Sequence, residues 1–132
     1  MVLVDTNVLV DVLQDDPQWA EWSIAQLRAQ ATVHALAINP VIYAEISLSF
    51  QTIEALDKAV ATMALELHEI PRPALFLAAK AYAQYRRRGG TWQQVQPDFF
   101  IGAHAAVRGW TLLTRDARRF STYFPGLRVV AP

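Results

Sequence analysis

The chain of 132 residues contains no cysteine, which removes disulfides, a thiolate nucleophile and any cysteine-ligated zinc site together. It has no charge surplus either, since 12 basic and 12 acidic side chains give a formal net charge of zero. A protein that coats nucleic acid nonspecifically needs many phosphate contacts, so that class is disfavoured and only local patches remain. Among the basic residues only Lys58 and Lys80 are lysine; the others are arginines, which suit forked recognition of phosphate or carboxylate. Although 53% of the residues are hydrophobic, no apolar run approaches the roughly 18 residues that a membrane span requires. The opening Met1-Val2-Leu3-Val4-Asp5 has no basic segment before its first acid, so a secretory leader is not expected. A reducing, cytoplasmic setting is the expectation, with no membrane partner. No repeat, low-complexity stretch or linker divides the sequence, and one domain over residues 1–132 is expected.

Val2-Leu3-Val4 is a short apolar run without alternation, as in a strand buried on both faces of a parallel sheet. Asp5 ends it, and a short helix follows. Asp16-Pro17 signals the cap and first turn of a helix running to about Gln30, with Trp19, Trp22, Ile24 and Leu27 as its apolar stripe. Thr32 to Ile38 reads as a second strand, and Asn39-Pro40 starts a mostly apolar helix through Phe50. The spacing of Ile53, Leu56, Val60, Met63 and Leu67 predicts a third helix, with a short strand at Glu69-Ile70 before Pro71. Ala74 to Arg88 is helical and ends at Gly89-Gly90, Gly90 to Pro97 is a loop, and Asp98 opens another helix. Trp110 to Thr114 and Leu127 to Val130 complete the strands. Strands alternating with helices predict an α/β domain whose central, mainly parallel sheet is flanked by helices.

Four acidic residues interrupt apolar sequence where a sheet rim is expected. Asp5 closes the first strand; Glu45 is the only charge between Asn39 and Phe50; Asp98 stands between Pro97 and Phe99-Phe100-Ile101; Asp116 follows the strand ending near Thr114. The carboxyl ends of parallel strands and the helix starts after them share one rim, where ligands bind in such folds. Each aspartate alone also reads as a helix cap or turn former. Glu45, inside its helix, has no capping role. Clustered carboxylates repel one another unless a cation compensates them, and oxygen donors without histidine or cysteine select magnesium or manganese.

The segments Val4-Asp5-Thr6-Asn7-Val8-Leu9, Ala44-Glu45 and Pro97-Asp98-Phe99-Phe100-Ile101-Gly102-Ala103 resemble the PIN domain. Leu112-Leu113-Thr114-Arg115-Asp116, followed by Arg118-Arg119-Phe120 and Tyr123-Phe124-Pro125-Gly126-Leu127, looks like the VapC toxin branch of that family, from type II toxin–antitoxin systems. The resemblance covers nearly the whole chain. It implies a Mg2+- or Mn2+-dependent endoribonuclease with Asp5, Glu45, Asp98 and Asp116 as its acidic quartet and Thr114 as the assisting small polar residue. It further implies an RNA substrate, a cognate antitoxin and a homodimer. Asp5, Glu45 and Asp98 are then the expected direct or water-mediated ligands. Asp116 either completes a second cation site or orients the attacking water. Thr6 and Asn7 could bond ligand carboxylates or bound water, or simply cap the first helix. Arg115, next to Asp116, is the stronger candidate for a substrate contact, while Arg86-Arg87-Arg88 fits either an RNA backbone or a helix macrodipole.

Other residues carry ordinary expectations. His104 is taken as surface or packing, and His34 and His68 have no ligand spacing. Asp11 is expected to point outward from the first helix. Trp92, in the loop, suits either an unpaired base or a protein contact, and Trp19 and Trp22 meet the core or a partner groove. Two competing functions stay open on sequence alone. One is a noncatalytic PIN module that binds RNA or protein. The other is a phosphatase of the haloacid dehalogenase kind, against which Asn7 stands where its second aspartate would be.

Overall fold

The computed structural model describes residues 1–132. Five strands are interleaved with helices: β1 (Val2–Val4), β2 (Leu36–Ile38), β3 (Leu65–Leu67), β4 (Thr111–Leu113) and β5 (Val129–Val130). The helices are α1 (Thr6–Leu13), α2 (Ala20–Val33), α3 (Pro40–Ile46), α4 (Ile53–Thr62), α5 (Arg72–Arg87), α6 (Pro97–Arg108) and the short α7 (Arg118–Ser121), with a 3₁₀ turn at Ser47–Ser49. The strands form one sheet in the order β3-β2-β1-β4-β5, and every neighbouring pair is parallel. The sheet is therefore all parallel rather than mainly so.

Val2, Leu3, Val4, Ala37, Ile38, Leu112 and Leu113 are fully buried, as their unalternated sequence requires when helices cover both faces. Ile42, Ile46, Ile101, Ala103, Ala105 and Phe120 pack against them from the helices. From β1 the chain builds β2 and β3 outward on one side, then returns to place β4 and β5 on the other. The crevice at the carboxyl ends of β1 and β4 is thus where the winding reverses, the usual ligand position in such sheets.

Several boundaries differ from the sequence expectation. β3 is Leu65–Leu67, not Glu69-Ile70, because α4 stops at Thr62 and Ala64 takes a left-handed φ of 53° that turns the chain into the sheet. No glycine marks that turn. α2 continues to Val33, leaving only Leu36–Ile38 as strand. His104 is fully buried, its Nδ1 lying 3.1 Å from Asn39 Nδ2 and its ring 5.1 Å from that of Trp110. Since the amide nitrogen donates, Nδ1 accepts and the imidazole proton sits on Nε2. Burial pulls the His104 pKa down to about 4.

Asn39 holds two elements at once. Its Oδ1 accepts the Ile42 backbone N–H at 2.9 Å to cap α3, and its amide meets His104 on α6. Asn39→Ala is expected to lose the cap and leave His104 Nδ1 unpaired, at about 2 kcal/mol or more. Urea unfolding checks this as a lowered midpoint with unchanged slope.

Candidate metal centre

Asp5 is the N-cap of α1, its Oδ1 accepting the Thr6 backbone N–H at 2.7 Å. The backbone N–H of Asp5 continues the sheet by donating to Leu113 O at 2.8 Å. The carboxylate is therefore fixed at the end of β1 with only 2% of the residue exposed. Its second oxygen accepts the Thr114 hydroxyl at 2.7 Å. Thr114 Oγ1 in turn accepts the Asp116 backbone N–H at 3.1 Å and lies 3.4 Å from Asn7 Nδ2. Asn7 Oδ1 takes the Arg115 backbone N–H at 3.2 Å. The turn after β1 and the turn after β4 are stitched together, with the single Thr114 hydroxyl used fully as donor and acceptor.

The other two acids arrive on helices. Glu45, on the far turn of α3, accepts the Thr6 hydroxyl on Oε1 at 2.6 Å. Asp98 sits in the first turn of α6 behind Pro97, where the positive end of the helix favours a carboxylate. Asp116 Oδ1 accepts the Arg118 backbone N–H at 3.1 Å. Arg119 bridges the last two acids, with Nη1 3.7 Å from Asp98 Oδ2 and Nε 3.2 Å from Asp116 Oδ2. A cleft of 490 Å³ opens here, lined by Glu45, Trp92, Gln96, Pro97, Asp98 and Arg119.

Electrostatics follow from this crowding. Burial raises the Asp5 pKa from 3.8 to about 6; the Thr114 hydrogen bond opposes that rise and the charge of Asp98 adds to it. Asp98 is also raised, first by burial and then by Glu45 and Asp116, with Arg119 pulling the other way. Arg119 is the one cation paired within this group of four carboxylates, to Asp98 and Asp116, since Arg115 is engaged elsewhere. The excess negative charge and all-oxygen donors match a hard divalent cation. As the side chains stand, no three acidic or imidazole groups are placed to hold an ion together. Thr6 holds Glu45, and Arg119 holds Asp98 and Asp116. Side-chain rotations of Glu45 and of the half-exposed Arg119 are what a bound cation would require.

Asp5, Glu45, Asp98, Asp116, Thr114, Thr6 and Asn7 thus lie along one rim. Arg115 turns away from it. Its Nε is 2.8 Å from Asp11 Oδ2 and its guanidinium lies over the Trp19 ring at 5.3 Å. Asp11 is not an outward surface acid: it is 2% exposed and also accepts the Ser23 hydroxyl at 2.8 Å. Among the arginines it is Arg119 that reaches the carboxylates, and its place three residues after Asp116, across the start of a short helix, was the available signal. Trp92 reaches the same cleft through a loop that carries no periodicity.

The PIN domain model matches residues 2–123. No curated protein matches the sequence. Among solved structures, VapBC2 from Rickettsia felis bound to a promoter DNA fragment is similar with a TM-score of 0.76 and 19% identity, over 100% of this chain and 99% of that one. VapBC-1 from nontypeable Haemophilus influenzae gives 0.74 at 16% identity, over 99% and 98%. A toxin–antitoxin complex from Klebsiella pneumoniae gives 0.73 at 20% identity, over 100% and 98%. At these identities the structural likeness is one of fold.

The raised pKa of Asp5 has a defined sign. The folded state prefers the neutral acid, so this contribution to stability is full below pH 3.8 and is lost as pH rises through about 6. In chelator, Asp5→Asn should leave stability near pH 4 almost unchanged and raise it at pH 7.5 by up to about 3 kcal/mol. His104, lowered from 6.5 to about 4, acts oppositely, costing stability as pH falls through that window. It is common to both proteins and cancels in the comparison. Thermal melts at the two pH values check the difference, and superimposed curves at pH 7.5 would refute it.

Proposed function

This chain belongs to the PIN domain family, and on that footing we propose that it is a magnesium- or manganese-dependent endoribonuclease, the toxin of a type II toxin–antitoxin pair silenced by a cognate antitoxin. The supporting observation is the gathering of four carboxylates, with one arginine as countercharge, at the crevice where the parallel sheet reverses its winding. Asp5, Glu45 and Asp98 hold the cation directly or through water. Asp116 completes a second cation site or orients the attacking water.

When bound, the cation supplies Lewis-acid polarisation of the scissile phosphate. The chain's own groups set the geometry around it. Thr114 donates to Asp5 Oδ2 and so fixes which way that carboxylate faces; Thr6 does the same for Glu45 Oε1. Arg119, half exposed at the cleft, is the guanidinium placed to meet a phosphate oxygen.

The partner part of the proposal has a surface to use. A groove of 350 Å³ between α1, α2 and α4 is lined by Val12, Ile24, Leu27, Ala31, Leu36 and Met63. A second groove beside it shares Val12 and Met63 and adds Leu13 and Ala59. This apolar strip suits the hydrophobic face of an antitoxin segment. A homodimer is the expected assembly, and Leu75 and Phe76 offer exposed apolar surface on α5.

Purified protein incubated with structured and unstructured RNAs should cut in manganese or magnesium, not in chelator, and not as Asp5→Asn. Intact RNA in every arm, with the fold preserved, would favour the noncatalytic binding module. Independently of cleavage, the divalent cation should raise the melting temperature, worth about 2.7 kcal/mol at a hundredfold excess over Kd. Asp98→Asn should shrink that shift. An equal shift in both proteins would remove Asp98 from the cation site.

A further inference from the structure

The loop between α5 and α6 is built to hold one indole in place. Tyr82 Oη donates to the Trp92 carbonyl at 2.8 Å, and Arg86 Nη1 donates to the same oxygen at 3.1 Å. Tyr85 Oη accepts the backbone N–H groups of Thr91 and Trp92, at 2.9 and 3.2 Å. These bonds lower the Tyr85 pKa by favouring its anionic form. Gly90 lies so close to Tyr85 that a Cβ there would strike the phenol ring, which explains glycine where the loop crosses it. The Tyr85 ring is itself packed against Phe99 and Tyr123, with centroids 5.8 and 6.4 Å away. Tyr85 is thus a rigid base for whatever stacks on it.

What stacks on it is Trp92, with centroids 5.1 Å apart and planes 26° off parallel. One indole face is spent on Tyr85. Yet the residue keeps 48% of its surface exposed, beside the cleft that holds Glu45, Asp98 and Arg119. Four hydrogen bonds and a stacked tyrosine therefore serve to hold a large apolar surface at the edge of the most acidic part of the molecule. Core packing does not call for that arrangement. A ligand with a flat aromatic part and an anionic part close together would use both walls. A nucleotide fits that description, and 490 Å³ is within the range of cavities that take molecules of its size.

We propose that Trp92 is the stacking platform for a nucleobase of the substrate, with the adjoining phosphate directed to Arg119. The inference rests on the ribonuclease reading, for which it names a residue that holds the substrate. A base within a duplex is already stacked on both faces and cannot present one to an indole. Base stacking on an aromatic side chain tolerates any base, so the platform does not select for sequence.

Binding is measured by fluorescence anisotropy with labelled ten-nucleotide RNAs, single-stranded and as a duplex of the same sequence, in calcium and in chelator. Wild type is compared with Trp92→Ala and Trp92→Phe. The expected result is a loss of about tenfold or more in single-strand affinity for Trp92→Ala, in line with the value of one stacked base. Most of the affinity should return in Trp92→Phe, and the duplex should bind weakly to all three. Circular dichroism confirms that the variants fold. Equal single-strand affinity of wild type and Trp92→Ala overturns the proposal, as does a wild type that binds no single strand or prefers the duplex. So does a Trp92→Ala variant whose only change, by light scattering, is in oligomeric state, which would make the indole a protein contact. Because the assay does not require turnover, Trp92-dependent single-strand binding without cleavage in manganese upholds the platform while removing the nuclease reading.

Discussion

One hydroxyl joins the two ends of the sequence. Thr114 Oγ1 donates to Asp5 and accepts from the backbone of Asp116, so the turn that follows β1 and the turn that follows β4 are held in a fixed relation. Everything else on the rim is referenced to that link. Thr6 and Asn7 extend from Asp5 to reach Glu45 and Arg115, and Asp116 accepts the backbone N–H of Arg118 where α7 begins. The parallel pairing of β1 with β4 brings the two turns into range, and the hydroxyl sets their alignment.

The cost of the arrangement is electrostatic. Burial raises the Asp5 pKa to about 6, so holding it ionised at neutral pH costs stability, and Asp98 is raised as well, by burial first and then by its acidic neighbours. A neutral polar side chain that kept the hydrogen bonds of Asp5 would cost the fold less. The rim is therefore a region where stability yields to chemistry, in contrast to β1 and β2 below it, whose residues are buried and apolar. Arg119 relieves part of the repulsion by pairing with Asp98 and Asp116.

Much of this was legible in the sequence because the signals were local. An unalternated Val-Leu-Val run followed by an acid reports a buried parallel strand and its rim together. Glu45 stood out because nothing near it was charged. The readings that failed concern groups whose partners are distant in sequence. Asp11 looks like a surface acid until α2 delivers Ser23 and the loop after β4 delivers Arg115. The same ion pair draws Arg115 off the rim, where adjacency to Asp116 had placed it. The sequence points away from β3 because the turn before it relies on Ala64 in a left-handed conformation that alanine does not advertise. The sequence around His104 suits either surface or packing, because only the fold supplies Asn39 beneath it.

The central position of β1 also governs when the site comes into being. Thr114 and Asp5 are 109 residues apart, and β1 acquires β4 as its neighbour only once synthesis has entered the last quarter of the chain. During synthesis the first half can assemble β1 beside β2 and β3, but the rim still lacks Thr114, Asp116 and Arg119. Contacts this distant also pay their loop-closure entropy before they return any stabilisation, which places them late in folding. A truncated or stalled chain therefore carries Asp5 and Glu45 without the remainder of the site, and the acidic cluster appears only in molecules whose sheet has closed on its final strands.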